Sequence, residues 1–119
     1  MFGFEKLDVW KKSIEVADDV YRLTRKFPDY EKFGLANQMR RSAVSISSNI
    51  AEGSSRESRK DFARFIEVGY GSAMERVSQI HIAQRQEFIP VEAARQLYRQ
   101  ADELARMLSG LKSSVHKKQ

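Results

Sequence analysis

The sequence predicts an all-α protein, an antiparallel up-down-up-down four-helix bundle. Three observations carry this reading. Apolar residues recur at spacings of three, four and seven through four long segments. The only two prolines, Pro28 and Pro90, fall between such segments. No stretch alternates apolar and polar residues as a half-buried strand would. Amphipathic helices of about 20 residues, each about 30 Å long and joined by short turns, bury their stripes most simply side by side in alternating direction. We read residues 1–119 as one domain, with helices over about 7–26, 32–53, 57–86 and 91–115.

In helix one the stripe runs Leu7, Trp10, Ile14, Ala17 and Tyr21, widened by Val9, Val16, Val20 and Leu23. Phe27-Pro28 ends it, because the residue before proline is pushed out of the α region. Helix two opens near Glu31 or Phe33, carries Gly34 in its first turn, and turns Leu35, Met39, Ser42, Ala43, Ile46 and Ile50 inward. Gly53 is placed to leave this helix with φ > 0. Ser54 with Glu57, or Ser58 with Asp61, has the spacing of a capping box that opens helix three. The inner face of helix three is read as Phe62, Phe65, Ile66, Gly69, Ala73, Val77 and Ile80. Gly69 and Gly71 each cost about 1 kcal/mol of helix propensity relative to alanine, which points to close helix contact there. Pro90 suits the first position of helix four, whose seam is the most regular in the chain: Ala94, Leu97, Ala101, Leu104, Leu108, Leu111, Val115. The tail His116-Lys117-Lys118-Gln119 is expected to fray, with its cations suiting a helix C-terminus.

A chain of 119 residues can bury a core without staples, and the absence of cysteine excludes disulfides, zinc ribbons and thiol chemistry. The first residues lack a basic region followed by an apolar run, and no apolar run approaches the length of a membrane span. The expectation is a soluble, cytoplasmic protein. A net charge of +5 gives a mild preference for polyanions.

Candidate binding residues follow from that charge. Arg40 and Arg41 form a basic step on helix two, and Arg56, Arg59, Lys60 and Arg64 extend positive charge across the next turn. If the helix hairpin joins them, they would neutralise phosphates without reading sequence. The competing reading is that Glu52, Glu57, Asp61 and Glu67 tie them into ordinary surface ion pairs. Ser45, Ser48, Asn49 and Glu52 share one side of helix two, and a polar row there would fix register across helices or subunits, with Ser72 and Glu75, beside Arg76, joining from helix three. Apolar residues outside the main stripes, Val9, Val16 and Leu23 on helix one and Phe65 and Val68 on helix three, point to self-association. Catalysis finds no constellation. His81 and His116 lack the Glu three residues earlier that a di-iron bundle needs, and Ser109-Gly110-Leu111-Lys112 matches Ser-x-x-Lys without a partner motif. We expect no enzyme activity, no metal and no cofactor.

Several stretches together resemble the family of 23S ribosomal RNA intervening-sequence proteins, which includes the accessory variability proteins of diversity-generating retroelements. The carrying residues are Leu7-Asp8-Val9-Trp10, Phe27-Pro28, Phe33-Gly34-Leu35, Gln38-Met39-Arg40-Arg41-Ser42-Ala43, and Ser45-Ile46 running into Ser47-Ser48-Asn49-Ile50-Ala51-Glu52-Gly53. Phe62, Phe65, Gly71-Ser72 and Glu75 complete the pattern, which spans nearly the whole chain. Two places depart from it, Val68-Gly69-Tyr70-Gly71-Ser72 and the turn Gln86-Glu87-Phe88-Ile89-Pro90, where a glycine is usual. The resemblance implies a four-helix bundle that assembles as a homopentamer without enzyme activity. For members like the retroelement accessory proteins, it also implies association with RNA or DNA and with a reverse transcriptase. The alternative is a purely structural, protein-interaction scaffold with no nucleic-acid role.

Overall fold

The computed structural model describes residues 1–117, and Lys118 and Gln119 of the expected frayed tail lie outside them. The main elements are α1 (Asp8–Thr24), α2 (Leu35–Ser54), α3 (Arg59–Arg85) and α4 (Val91–Lys117), with short 3-10 turns at Gly3–Lys6 and Asp29–Glu31. Each helix packs on the next, and α1 also packs on α4, so α1 faces α3 and α2 faces α4 only across the diagonals. The result is the up-down-up-down bundle, measuring 46 × 22 × 22 Å, with no strand among the described residues. His116 and Lys117 are helical, forming the basic last turn of α4.

Heptad spacing explains which side of each helix is inside. On α4 the whole seam from Ala94 to Val115 is buried except Leu111, which is half-buried. On α3 the buried stripe is Ile66, Gly69, Ala73, Arg76, Ile80 and Ala83, so a charged residue occupies a core position. On α2 the expected stripe is inside, from Leu35 to Ile50.

Helix α1 is rotated by about one residue, or 100°, from the sequence expectation. Val9, Ser13, Val16, Val20 and Thr24 are buried, while Ile14 and Tyr21 are 37% and 38% exposed. The two hydroxyls are satisfied within their own helix. Ser13 Oγ donates to the Trp10 carbonyl at 2.6 Å, and Thr24 Oγ1 to that of Val20 at 2.7 Å. That local satisfaction lets the valine face win the core. The apolar residues that face outward also differ from those expected: Val9 and Val16 are core residues, Leu23 and Phe65 are half-buried, and Val68 alone of that set is exposed, at 55%, while Ile14, Tyr21, Val44, Met74 and Ile82 are exposed instead.

The turns rest on specific groups. Glu31 Oε2 accepts from the Leu35 N–H at 2.7 Å, placing a carboxylate on the free amides that open α2. Ser58 caps α3, its hydroxyl accepting from the Asp61 N–H at 3.0 Å. Pro90 sits one position earlier than expected, as the residue preceding Val91, and its carbonyl accepts from Ala94 at 3.0 Å. Between α3 and α4, Phe88 N–H reaches the Ala83 carbonyl at 2.9 Å and Glu87 N–H the Gln84 carbonyl at 3.0 Å, a Schellman turn. Glu87 takes the left-handed position at φ 61°, where glycine is favoured.

The glycines correct the sequence reading in two places. Gly53 does not leave its helix with positive φ; no glycine does. It is a buried contact point, where an added Cβ would stand 2.6 Å from Phe65 Cβ and 3.0 Å from Phe62 Cδ1. Phe65 Cβ is fixed to the α3 backbone, so nothing short of helix separation makes room. Gly69 does lie against α2, at ordinary van der Waals distance from Ile46 O, but Gly71 faces open space within the protomer.

Urea denaturation should separate these roles. Gly53→Ala is expected to destabilise by about 1–3 kcal/mol through overpacking. Gly71→Ala should stabilise the single protomer by up to about 1 kcal/mol through helix propensity. Glu87→Gly should stabilise by about 1 kcal/mol, because it relieves a left-handed side-chain residue.

Candidate nucleic-acid interface

The concavities along the α1–α2 seam adjoin one another and share their basic residues. Tyr21, Thr24, Arg25, Lys32, Asn37, Arg40 and Arg41 line them. Arg40 is the fixed member. Its Nε donates to Thr24 Oγ1 at 2.8 Å, and its guanidinium carbon lies 4.9 Å from the Tyr21 ring centroid. Thr24 meanwhile donates to its own helix, so one hydroxyl bridges α1 and Arg40. Among the described residues, Nη1 and Nη2 of Arg40 make no hydrogen bond, and no carboxylate lies within 4.0 Å of Arg25, Arg40 or Arg41. Arg22 is paired with Asp19 at 2.6 Å, and Asp18 and Asp29 form acidic parts of the rim. An oriented guanidinium flanked by unpaired cations presents forked donors to an anion of phosphate geometry.

The remaining basic candidates lie elsewhere. Arg56 follows Arg41 by fifteen positions, which along a helix is about 22 Å. The hairpin therefore does not merge the two groups: Arg40 and Arg41 lie toward the α1–α2 end, and Arg56, Arg59, Lys60 and Arg64 surround the α2–α3 turn. In the second group, Arg56 pairs with Glu52 at 3.0 Å and covers the Phe65 ring, while Arg64 pairs with Asp61 at 3.5 Å. Arg59 and Lys60 have no carboxylate within 4.0 Å among the described residues.

The polar row of α2 and α3 is divided in the same way. Ser72 Oγ donates across to Ser45 Oγ at 2.9 Å, and Asn49 Nδ2 donates to Ser45 Oγ and O at 3.0 and 2.7 Å. These three meet at the seam. Ser48 is exposed, Glu52 is engaged by Arg56, and Glu75 is exposed, accepting only a long bond of 3.4 Å from Gln79.

Arg76 is not part of that row. It lies wholly inside the bundle, where burial pushes its pKa down to about 10 and nearby Asp19 acts in the opposite direction. At neutral pH it is charged. Sequence reasoning also missed the buried Ser42–Gln79 bond of 2.8 Å and the Gln100–Asp19 bond of 2.7 Å. The available signal was the spacing of Arg76 itself, midway in the repeat Gly69, Ala73, Arg76, Ile80.

Among the described residues no group of three or more His, Asp and Glu side chains could hold a metal ion, and no helix is long and apolar enough to cross a membrane. Fold and site together define a small four-helix-bundle protein with a basic inter-helix groove. The chain belongs to the 23S rRNA-intervening sequence protein family, whose pattern matches residues 5–110. It is also similar to a solved structure, a protein of unknown function from the S23 ribosomal protein family of Bacteroides thetaiotaomicron. The two share 26% identity with a TM-score of 0.81, over 88% of this chain and 95% of that one. No curated protein matches.

Arg40 and Arg41, adjacent in sequence, should differ in stability measurements. Arg40→Ala removes the Thr24 bond and the Tyr21 contact and is expected to cost about 1–2 kcal/mol. Arg41→Ala should stay within about 0.5 kcal/mol. Equal losses in urea melts would contradict this placement.

Proposed function

We propose that the chain is a cytoplasmic, non-catalytic, self-associating bundle that holds nucleic acid by its phosphate backbone in the α1–α2 groove. The observation that carries the reading is the set of cations without carboxylate partners, Arg25, Arg40 and Arg41, around the Arg40–Tyr21 contact. Arg22, Arg56, Arg64, Arg95 and Arg106 are neutralised locally at i,i+3 or i,i+4, and the groove is where three arginines without a described carboxylate partner line adjoining concavities. Arg59 and Lys60 offer a second contact at the far end of α2, with Arg56 and Arg64 held back by their ion pairs. The family resemblance extends the partner list to a nucleic-acid enzyme such as a reverse transcriptase.

Self-association draws support from the outward side of α3. There Val68, Gly71, Glu75, Ser78 and Ile82 repeat at alternating spacings of three and four, all exposed in the protomer. The open space beside Gly71 leaves room for a second backbone to approach. The resemblance implies five copies. Light scattering at micromolar concentration should report a multiple of 13.7 kDa; the mass of one chain would sink this part.

Fluorescence anisotropy with unrelated single-stranded oligonucleotides tests the groove. Affinity should fall with salt at a slope of about 0.7 per phosphate contacted, with little dependence on sequence. Arg25→Ala with Arg41→Ala should lower that slope by about 1.4, whereas Arg95→Ala, on α4 and paired with Glu92, should leave it unchanged. Absence of binding at both low and moderate salt would favour the scaffold reading.

A further inference from the structure

Four buried side-chain atoms of the described residues lack a hydrogen-bond partner: Nε, Nη1 and Nη2 of Arg76, and Oε1 of Gln100. Arg76 and Gln100 stand twelve residues before and after Phe88 in the antiparallel α3–α4 hairpin, which sets them at one level of the bundle. Ser42–Gln79 ties α2 to α3 close to Arg76, and Gln100–Asp19 ties α4 to α1. Arg76 projects from α3 into the interior with none of its surface exposed. Asp19, on the diagonal helix α1, is the nearby acid that favours its charge.

Asp19 does not bond Arg76 directly. Its Oδ1 accepts from Arg22 at 2.6 Å and its Oδ2 from Gln100 Nε2 at 2.7 Å, while no Arg76 nitrogen comes within 4.0 Å of either. The same Gln100 bond fixes the amide, since flipping it would set Oε1 against a carboxylate oxygen. Oε1 is thereby turned toward the interior without a donor. A guanidinium offers only donors, and an amide oxygen only accepts. No hydrogen bond joins Arg76 to Gln100 Oε1 directly, so a group that satisfies both must accept from one and donate to the other. An inorganic anion does half of this; water does both, and a bridge of two ordinary hydrogen bonds spans about 5.6 Å.

We infer that the bundle core encloses an ordered internal water site, in which water accepts from the Arg76 guanidinium and donates to Gln100 Oε1, completing a hydrated ion pair with Asp19. The bridge gives the buried cation its acceptors without displacing Arg22 or Gln100 from Asp19. It makes Gln100 a relay between the two charges.

Magnetic resonance on the unaltered protein reads the site directly. The Arg76 Nε–Hε proton should show a cross-relaxation peak to water of long residence, where exposed arginines such as Arg106 show only fast exchange. A direct Arg76–Asp19 or Arg76–Gln100 hydrogen bond with no such peak would overturn the inference. Exchanging chloride for gluconate at constant ionic strength should leave the Arg76 shifts and the melting temperature unchanged; chloride dependence would mean that an anion sits there instead. A double-mutant cycle supplies an independent reading. Asp19→Asn is expected to raise the unfolding constant about tenfold when Arg76 is present and less than about twofold in Arg76→Met. Equal effects on both backgrounds would show that Arg76 and Asp19 are uncoupled.

Discussion

A guanidinium that no solvent reaches must be stabilised from inside, and Arg76 imposes that requirement on the middle of the bundle. Removing an ion from water costs about several kcal/mol even after the protein relaxes, so its surroundings cannot be an ordinary apolar layer. Polar ties therefore gather at this level, with Ser42 holding Gln79 and Gln100 holding Asp19. Above and below it the core is aliphatic, from Met39, Ile46 and Ile50 on α2 to Leu97, Leu104 and Leu108 on α4. Aliphatic layers are interchangeable to a degree, whereas a polar level that matches across four helices penalises any shift in register. The hydrophobic stripes supply the drive to associate, and the charged level selects one alignment.

Much of this fold was legible because helix periodicity is a local property. The α4 seam, the inward face of α2 and the turns at Pro28 and Pro90 follow from residue spacing alone. The orientation of α1 was not, because two apolar stripes compete on that helix and the choice depends on Ser13 and Thr24 satisfying their hydroxyls locally. Gly53 was misread for a related reason. Its position near a helix end suggests a left-handed exit, yet the residue that dictates glycine there is Phe65 on the next helix. The sequence set Arg76 beside the polar row and gave no hint of its burial, because charge is ordinarily a sign of the surface; only its place in the α3 repeat marked it. For the basic groove, the sequence exposed Arg40 and Arg41 as a dense step. It could not reveal Arg25, Lys32 and Tyr21 beside them, since these belong to a different helix and turn.

The surface charges divide by how they are partnered. Twenty-one lysines and arginines face sixteen acidic residues, so many cations can be matched and the excess has to lie somewhere. Short-range pairs along single helices, such as Arg95–Glu92 and Arg106–Asp102, cancel charge in place and contribute only about tenths of a kcal/mol each. Cross-helix ties such as Lys12–Glu103 and the Glu67–Lys112 contact brace α4 against its neighbours, and the latter holds the Glu67 carboxyl below its usual range. What these pairs leave over includes the α1–α2 groove, where the potential is not cancelled locally and positive charge is concentrated between helix walls.

The antiparallel order has a practical corollary. Asp8, which opens α1, and Lys117, which closes α4, lie at one pole of a body 46 Å long. Thr24, Arg25 and the Phe27–Phe88 aromatic contact lie toward the other. A fluorophore or affinity handle attached at either pole-side helix end would be separated from the Arg25 cavity by most of the long axis. Dyes placed there test the proposed self-association by energy transfer while leaving the cationic cleft unobstructed.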